Sequence, residues 1–227
     1  MKKLKRISYF LFFIFLFSCF SVAQDKSLQP PSPEAEKKNG DLTAEEIIEQ
    51  NKSALVSVWY HANDYFSYAS YSYTYKDTIL LSGSGFIFSK EGLVGTNNHV
   101  ISGFDSLFIK TSDGTFYNAE IVYVEEKNDL AILKILDTTN KTFPFVRFGN
   151  SNDVKVGQNI FAIGSPLGFE YTISEGIVAA LRENEKVSFT DPDTYTLIEK
   201  TFDKVIQITA AISPGNSGGA LFNGKGD

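Results

Sequence analysis

Between residues 54 and 208, segments rich in Val, Ile, Phe and Tyr recur at short intervals, separated by Gly, Asn, Asp and Pro. They include Ala54–Tyr60, Ile79–Phe88, Leu107–Lys110, Ile121–Val124, Leu130–Ile135, Asn159–Ile163, Ile173–Leu181 and Val205–Ile208. Many short β-forming runs with turn signals between them predict an all-β barrel or sandwich. The runs fall into two groups, residues 52–137 and 151–227, with a crossover at 138–150 that carries Pro144 and Gly149. Tyrosines crowd the stretch Tyr60–Tyr75. We read it as a surface hairpin, because tyrosine suits a half-buried pleated surface; the other reading is an aromatic substrate or partner loop.

The chain of 227 residues opens differently. Lys2, Lys3, Lys5 and Arg6 precede an apolar run, Ile7–Phe17, and Ser21-Val22-Ala23 supplies small residues at a cleavage position. Residues 1–23 are therefore expected to be a secretory signal peptide. The apolar run is shorter than the ~20 residues of a membrane-spanning helix. Leu16-Phe17-Ser18-Cys19 loosely matches a lipoprotein processing site, so membrane attachment through Cys19 is the alternative. Cys19 is the only cysteine; cleavage after Ala23 would remove it and with it any disulfide, thiol nucleophile or zinc-thiolate site. The same cleavage removes four basic residues and no acids, taking the formal net charge from −6 to −10. Such an acidic chain lacks the Lys and Arg that contact phosphates, so no nucleic-acid partner is expected. Residues 24–41 read as a polar linker, and 42–51 as a short helix with Thr43 and Glu46 at capping-box spacing.

The strongest chemical signal is Ser213-Pro214-Gly215-Asn216-Ser217-Gly218-Gly219-Ala220-Leu221. A serine hydroxyl is a weak nucleophile that needs a base and a site for the oxyanion. Glycines around Ser217 permit a tight turn, and the N–H groups of Gly215 and Ser217 could converge on one spot. The chain has two histidines. His61 lies among the tyrosines with nothing chemical beside it. His99 follows Gly95-Thr96-Asn97-Asn98 at the end of an apolar run. Asp129, in Lys127-Asn128-Asp129-Leu130, sits where a polar loop meets an apolar strand and could orient the imidazole. Asp113, followed by Gly114, reads as a hairpin turn, and Asp105 has only a loop context.

The order His99, Asp129, Ser217 is that of chymotrypsin-type triads. Thr96–Val100, Asp129–Lys134 and Pro214–Leu221 resemble the three catalytic motifs of the HtrA/DegP family of trypsin-like serine peptidases. Ser82–Ile87, Gly157-Gln158, Ala162–Gly168 and Gly176–Leu181 resemble further family segments. The resemblance implies two antiparallel β-barrels of the trypsin/chymotrypsin type. His99 and Asp129 would come from the first and Ser217 from the second. It further implies an oxyanion hole at Gly215, Asn216 and Ser217, and substrate binding along Ala211, Ile212, Ser213 and Pro214. No metal or cofactor is needed. The expected activity is endopeptidase action on unfolded or misfolded polypeptides in the periplasm or cell envelope, with an extracellular location as the alternative. Homo-oligomerisation is left open. The competing function is a non-catalytic, chaperone-like binding module on the same fold.

Three departures stand out. Ile208–Ser213 replaces a stretch that often carries an aspartate and an asparagine, and Ala220 stands where relatives often have proline. Only six residues follow Leu221, whereas family members continue with the last strands of the second barrel. The second barrel is thus expected to be incomplete and the sequence to be a fragment of a longer product.

Overall fold

A computed structural model of the chain describes residues 40–62, 65–68, 71–74, 78–165, 171–190, 197–213 and 215–227. The expected signal peptide, Cys19, most of the linker and Pro214 lie outside these residues. Helix α1 (Ala44–Asn51) leads into β1 (Leu55–Ala62), β2 (Tyr65–Tyr68), β3 (Tyr71–Thr74), β4 (Thr78–Ile87) and β5 (Leu93–Asn97). The one-turn helix α2 (Asn98–Ile101) follows, then β6 (Leu107–Lys110), β7 (Phe116–Glu125) and β8 (Leu130–Ile135). After the crossover come β9 (Asn159–Gly164), β10 (Thr172–Thr190), β11 (Leu197–Ile208) and β12 (Ala220–Asn223).

The first six-stranded unit closes on itself in the order β1-β4-β5-β8-β7-β6, every pair antiparallel. Alternation along its strands writes this barrel. In β8, Ala131, Leu133 and Ile135 are buried while Leu130, Ile132 and Lys134 are not. In β6, Leu107 and Ile109 turn inward. A period of two places every second side chain on the same face, so these residues meet Val56, Val58, Ile87 and Val94 in one core. Val100 and Ile101 of α2 cap it, which fixes the backbone just after His99 against the barrel. The β6–β7 turn contains Asp113, whose carboxylate accepts from Thr111 Oγ1 and Thr115 N at 2.7 and 3.0 Å. Those donors hold its carboxyl down at about 2, as a turn residue and away from any chemistry.

The second unit is a four-stranded antiparallel sheet, β11-β10-β9-β12, that does not close among the described residues. Together the closed barrel and the curled half-barrel give the trypsin-like arrangement with its second barrel incomplete. A second core fills the seam: Leu55 from the first unit packs with Phe161, Ile163, Ala220 and Phe222 from the second, and with Ile47 of α1. The helix is set by its capping box. Thr43 Oγ1 accepts from Glu46 N at 3.2 Å, and Glu46 Oε2 accepts from Thr43 N at 2.8 Å. Just before it, Leu42 N donates to Gly224 O at 2.7 Å, so α1 is pinned to the turn after β12. None of the described helices is long and apolar enough to cross a membrane.

Two elements differ from their sequence expectation. The β10–β11 hairpin runs far beyond the apolar segments that announce it, through Arg182-Glu183-Asn184-Glu185-Lys186 on one strand and Glu199-Lys200-Thr201 on the other. Glu183 stands opposite Lys204, Lys186 opposite Thr201 and Glu199 opposite Ser188, and such backbone pairing needs no hydrophobic stripe. His61 lies in β1 opposite Ile79, not in a loop.

Candidate active site

His99 and Asp129 meet at the rim of the closed barrel. Asp129 Oδ2 lies 2.6 Å from His99 Nδ1, and Asp129 Oδ1 accepts from the His99 backbone N–H at 2.8 Å. The carboxylate thus grips one residue at two points. The His99 side chain is 57% exposed and that of Asp129 20%. The imidazole therefore faces open space while its partner is sheltered behind it. Because the carboxylate accepts at Nδ1, the proton of a neutral ring is held there and Nε2 is left as the acceptor.

The backbone explains the aim. Among the described residues Asp129 is one of three non-glycine residues with positive φ, at 57°, a left-handed conformation that disfavours a side chain by roughly 1–2 kcal/mol. Its carbonyl accepts two hydrogen bonds, from Asn98 N at 3.0 Å and from Asn97 Nδ2 at 2.9 Å. These lock the turn before β8 and direct the carboxylate back at His99. The rival Asp113 is held in the β6–β7 turn by its own threonines, and Asp105 shows no link to His99 among the described residues.

Ser217 comes from the other unit, three residues before β12. Its carbonyl accepts from Ser84 N of β4 at 2.8 Å. Ser84 is buried, and its hydroxyl donates to Gly215 O at 2.6 Å while accepting from Ser165 N at 2.8 Å. Thr96 Oγ1 donates in turn to Ser84 O at 2.8 Å. The next residue along, Gly218, gives its N–H to Asn97 Oδ1 at 2.7 Å. The Ser217 turn is thereby stitched to β4 and β5 of the first barrel, beside the helix that carries His99. Among the described residues no hydrogen bond joins Ser217 Oγ to His99 Nε2; such contacts often tighten only when substrate is bound.

The three amides expected to face an oxyanion divide. Asn216 N donates to Ser213 O at 3.0 Å, so it is committed to the turn. Gly215 has φ 97°, a region that glycine enters at no steric cost. Neither Gly215 N nor Ser217 N makes a hydrogen bond among the described residues. Two amides, not three, are free to meet an anionic oxygen. Of the expected substrate-binding residues, Ala211, Ile212 and Ser213 are exposed. This loop hangs from β10 through Thr209: its N–H donates to Ile177 O at 3.1 Å and its hydroxyl accepts from Ile177 N at 2.9 Å. A trough of about 420 Å³ lies elsewhere, on the half-barrel near Phe148, Ile160, Val178 and Leu221, and touches none of His99, Asp129 or Ser217. No cluster of three or more His, Cys, Asp or Glu side chains able to hold a metal occurs among the described residues.

A serine on a glycine turn, an imidazole with its free nitrogen exposed and a carboxylate fixing the tautomer can together run acyl transfer. Residues 83–227 match the trypsin-like peptidase domain family. The chain is an HtrA/DegP-like member of that family. A probable periplasmic serine endoprotease, DegP-like, from Hahella chejuensis is 41% identical over 146 residues, which cover 64% of this chain and 28% of the relative. The protein of the same name from Pseudomonas savastanoi pv. phaseolicola is 42% identical over 145 residues, 64% of this chain and 27% of its own length. The chain thus spans little more than a quarter of these relatives. The structure is similar to that of the HtrA-type protease AlgW with a decapeptide, at TM-score 0.63 and 27% identity, covering 82% of this chain and 57% of that one. With a tripeptide the same protease aligns at TM-score 0.61 and 30% identity, over 80% and 50% of the two chains.

Two residues of this HtrA/DegP-like site, Asn97 and Ser84, have no sequence signal beyond membership of the Thr96–Val100 and Ser82–Ile87 motifs. Their bonds span 121 and 131 residues to the Ser217 turn, a distance no local pattern records. Gly218 is the tightest point of the stitch. A Cβ there would stand 2.2 Å from both Ser84 O and Thr96 Oγ1, at φ 80°. Gly218→Ala is expected to lower stability by about 3 kcal/mol through overpacking and backbone strain, or about 6–12 °C in the unfolding midpoint for a chain of this size. Gly103 has nearly the same φ, 84°, and nothing within 4 Å of its Cβ position. Gly103→Ala, measured beside it by calorimetry, should cost only about 1 kcal/mol.

Proposed function

We propose that this HtrA/DegP-like protein is a serine endopeptidase that hydrolyses peptide bonds of unfolded polypeptides through His99, Asp129 and Ser217. The observation that carries the reading is the two-point grip of Asp129 on His99, at 2.6 and 2.8 Å, on a turn stitched to the serine loop. Ser217 Oγ attacks the scissile carbonyl. His99 Nε2 takes its proton and returns it to the leaving amine, and the Asp129 carboxylate stabilises the imidazolium formed between the two transfers. Gly215 N and Ser217 N receive the oxyanion. Water then attacks the acyl-enzyme, with His99 again as the base, and releases Ser217. No step draws on a metal or cofactor.

Polypeptide substrates are supported by the peptides bound to the AlgW structures. Export to the periplasm is supported by the names of the DegP-like relatives and by the basic and apolar segments of residues 1–23. Incubation of the purified protein with reduced, carboxymethylated casein and with a compact folded protein tests the substrate class. Cleavage of the casein with the folded protein intact supports it; no cleavage of either refutes it.

A further inference from the structure

Asn97 touches both halves of the site with one side chain, and that double contact carries an inference resting on the reading just proposed. It is the last residue of β5, opposite Leu130 of β8. Strand alternation turns Thr96 into the barrel, where it is buried and donates to Ser84 O. Asn97 is thereby turned the other way, to the seam. There its Nδ2 donates to Asp129 O at 2.9 Å, and its Oδ1 accepts from Gly218 N at 2.7 Å. The amide can sit only one way round. Exchanging N and O would set an NH₂ against the Gly218 N–H and an oxygen against the Asp129 carbonyl, two like-with-like contacts.

We propose that Asn97 is a positioning residue for peptide hydrolysis, coupling the turn that aims Asp129 at His99 to the turn that presents Ser217. Each end has this one amide among its anchors. Asp129 is held at φ 57° by two donors to its carbonyl, one of them Asn97. Gly218, at φ 80°, has Asn97 as the acceptor of its N–H. A shift of either turn is transmitted to the other through a planar amide held at both ends and one methylene removed from the backbone. The alignment of base and nucleophile, which belong to different sheets, is set through this amide. A small displacement of reacting groups is enough to slow catalysis about 100-fold.

The two bonds can be cut separately. Asn97→Ala removes both. Asn97→Asp keeps an acceptor for Gly218 N–H and removes the donor to Asp129 O. For Asn97→Ala the expected results are kcat lower by about 10- to 100-fold with KM within about twofold, faster hydrogen exchange at the Gly218 amide, and a displaced or broadened downfield proton resonance of His99 Nδ1–H. For Asn97→Asp the Gly218 amide should stay protected while kcat and the His99 resonance change as in the alanine variant. Unchanged Gly218 exchange and an unchanged His99 resonance in Asn97→Ala would overturn the proposal. So would a fall in kcat accompanied by loss of protection across the whole barrel, which marks a merely structural role. The exchange and resonance readouts need no turnover. If the wild-type protein cleaves no peptide, the endopeptidase reading fails, while these two signals still decide whether Asn97 couples the turns.

Discussion

Ser217→Ala is expected to lower kcat for peptide hydrolysis by about 10⁶-fold and to leave the unfolding midpoint within about 2 °C of wild type, on the size scaling of small stability changes. The two halves of that expectation come from different atoms. Ser217 is anchored through its backbone, whose carbonyl accepts from Ser84 N. Its hydroxyl makes no hydrogen bond among the described residues. Removing the hydroxyl therefore breaks no described contact that holds the two sheets together, yet removes the atom that forms the acyl-enzyme in the proposed mechanism. Residual rate over water should persist in the proposed mechanism, because the backbone amides of residues 215 and 217 that would receive the oxyanion are unchanged. Progress curves on a peptide substrate beside a thermal melt of the same preparation measure both halves.

Asp129→Asn should lower kcat by about 10⁴-fold, and the structure says why the tautomer is at fault. The carboxylate accepts at both oxygens, from His99 N and at Nδ1. An amide has one oxygen and one NH₂. The backbone N–H of His99 cannot become an acceptor, so it claims the oxygen. The NH₂ then faces Nδ1 and forces it to accept, which moves the ring proton to Nε2. An imidazole protonated there has no lone pair for the Ser217 proton. The backbone itself should survive, because Asn tolerates the left-handed conformation of residue 129 as well as Asp does. Stability is thus expected to stay near wild type while kcat collapses. An equal loss of folded protein would show that Asp129 acts mainly as a structural brace.

How far the sequence reaches can be judged on particular residues. The runs Leu107–Lys110 and Leu130–Ile135 announce strands through their β-forming residues and the turn signals beside them, whereas which face is buried in β6 and β8 emerges only in the fold. The capping box of Thr43 and Glu46 is equally local, and forms as its spacing suggests. The trypsin-like double-barrel architecture and family membership were legible for a different reason: three motifs in fixed order carried the resemblance. The outer half of the β10–β11 hairpin was illegible, because its strands are charged on both faces and look like loop. The exposed pair Lys127 to Asp203, at 2.7 Å, ties that hairpin to the loop two residues before Asp129, and the Asp203 carboxylate holds the Lys127 ammonium above its usual range. Neither residue stands out in the sequence.

The finer geometry of the site is illegible on the same grounds. Sequence assigns glycines to a turn around Ser217 but does not say that the Asn216 amide is consumed by Ser213 O. That single bond narrows the amides available to an oxyanion from three to two. Asn216 Oδ1, for its part, is buried with no partner among the described residues, packed where a Cβ on Gly164 would come within 2.6 Å. The turn that holds it is tied to the first barrel by the bonds of Ser84 and Asn97. Both depend on two sheets meeting, and that meeting is a property of the fold, not of any window of residues.

The central claim, that Ser217 is the nucleophile, is tested most directly by mapping a covalent adduct. The purified protein is treated with a fluorophosphonate, digested and read by tandem mass spectrometry. A single phosphonyl group on the peptide that contains Ser217, absent from Ser217→Ala and nearly absent from Asp129→Asn, is the result this account predicts. An adduct at any other residue, or equal labelling of Ser217→Ala, would contradict it.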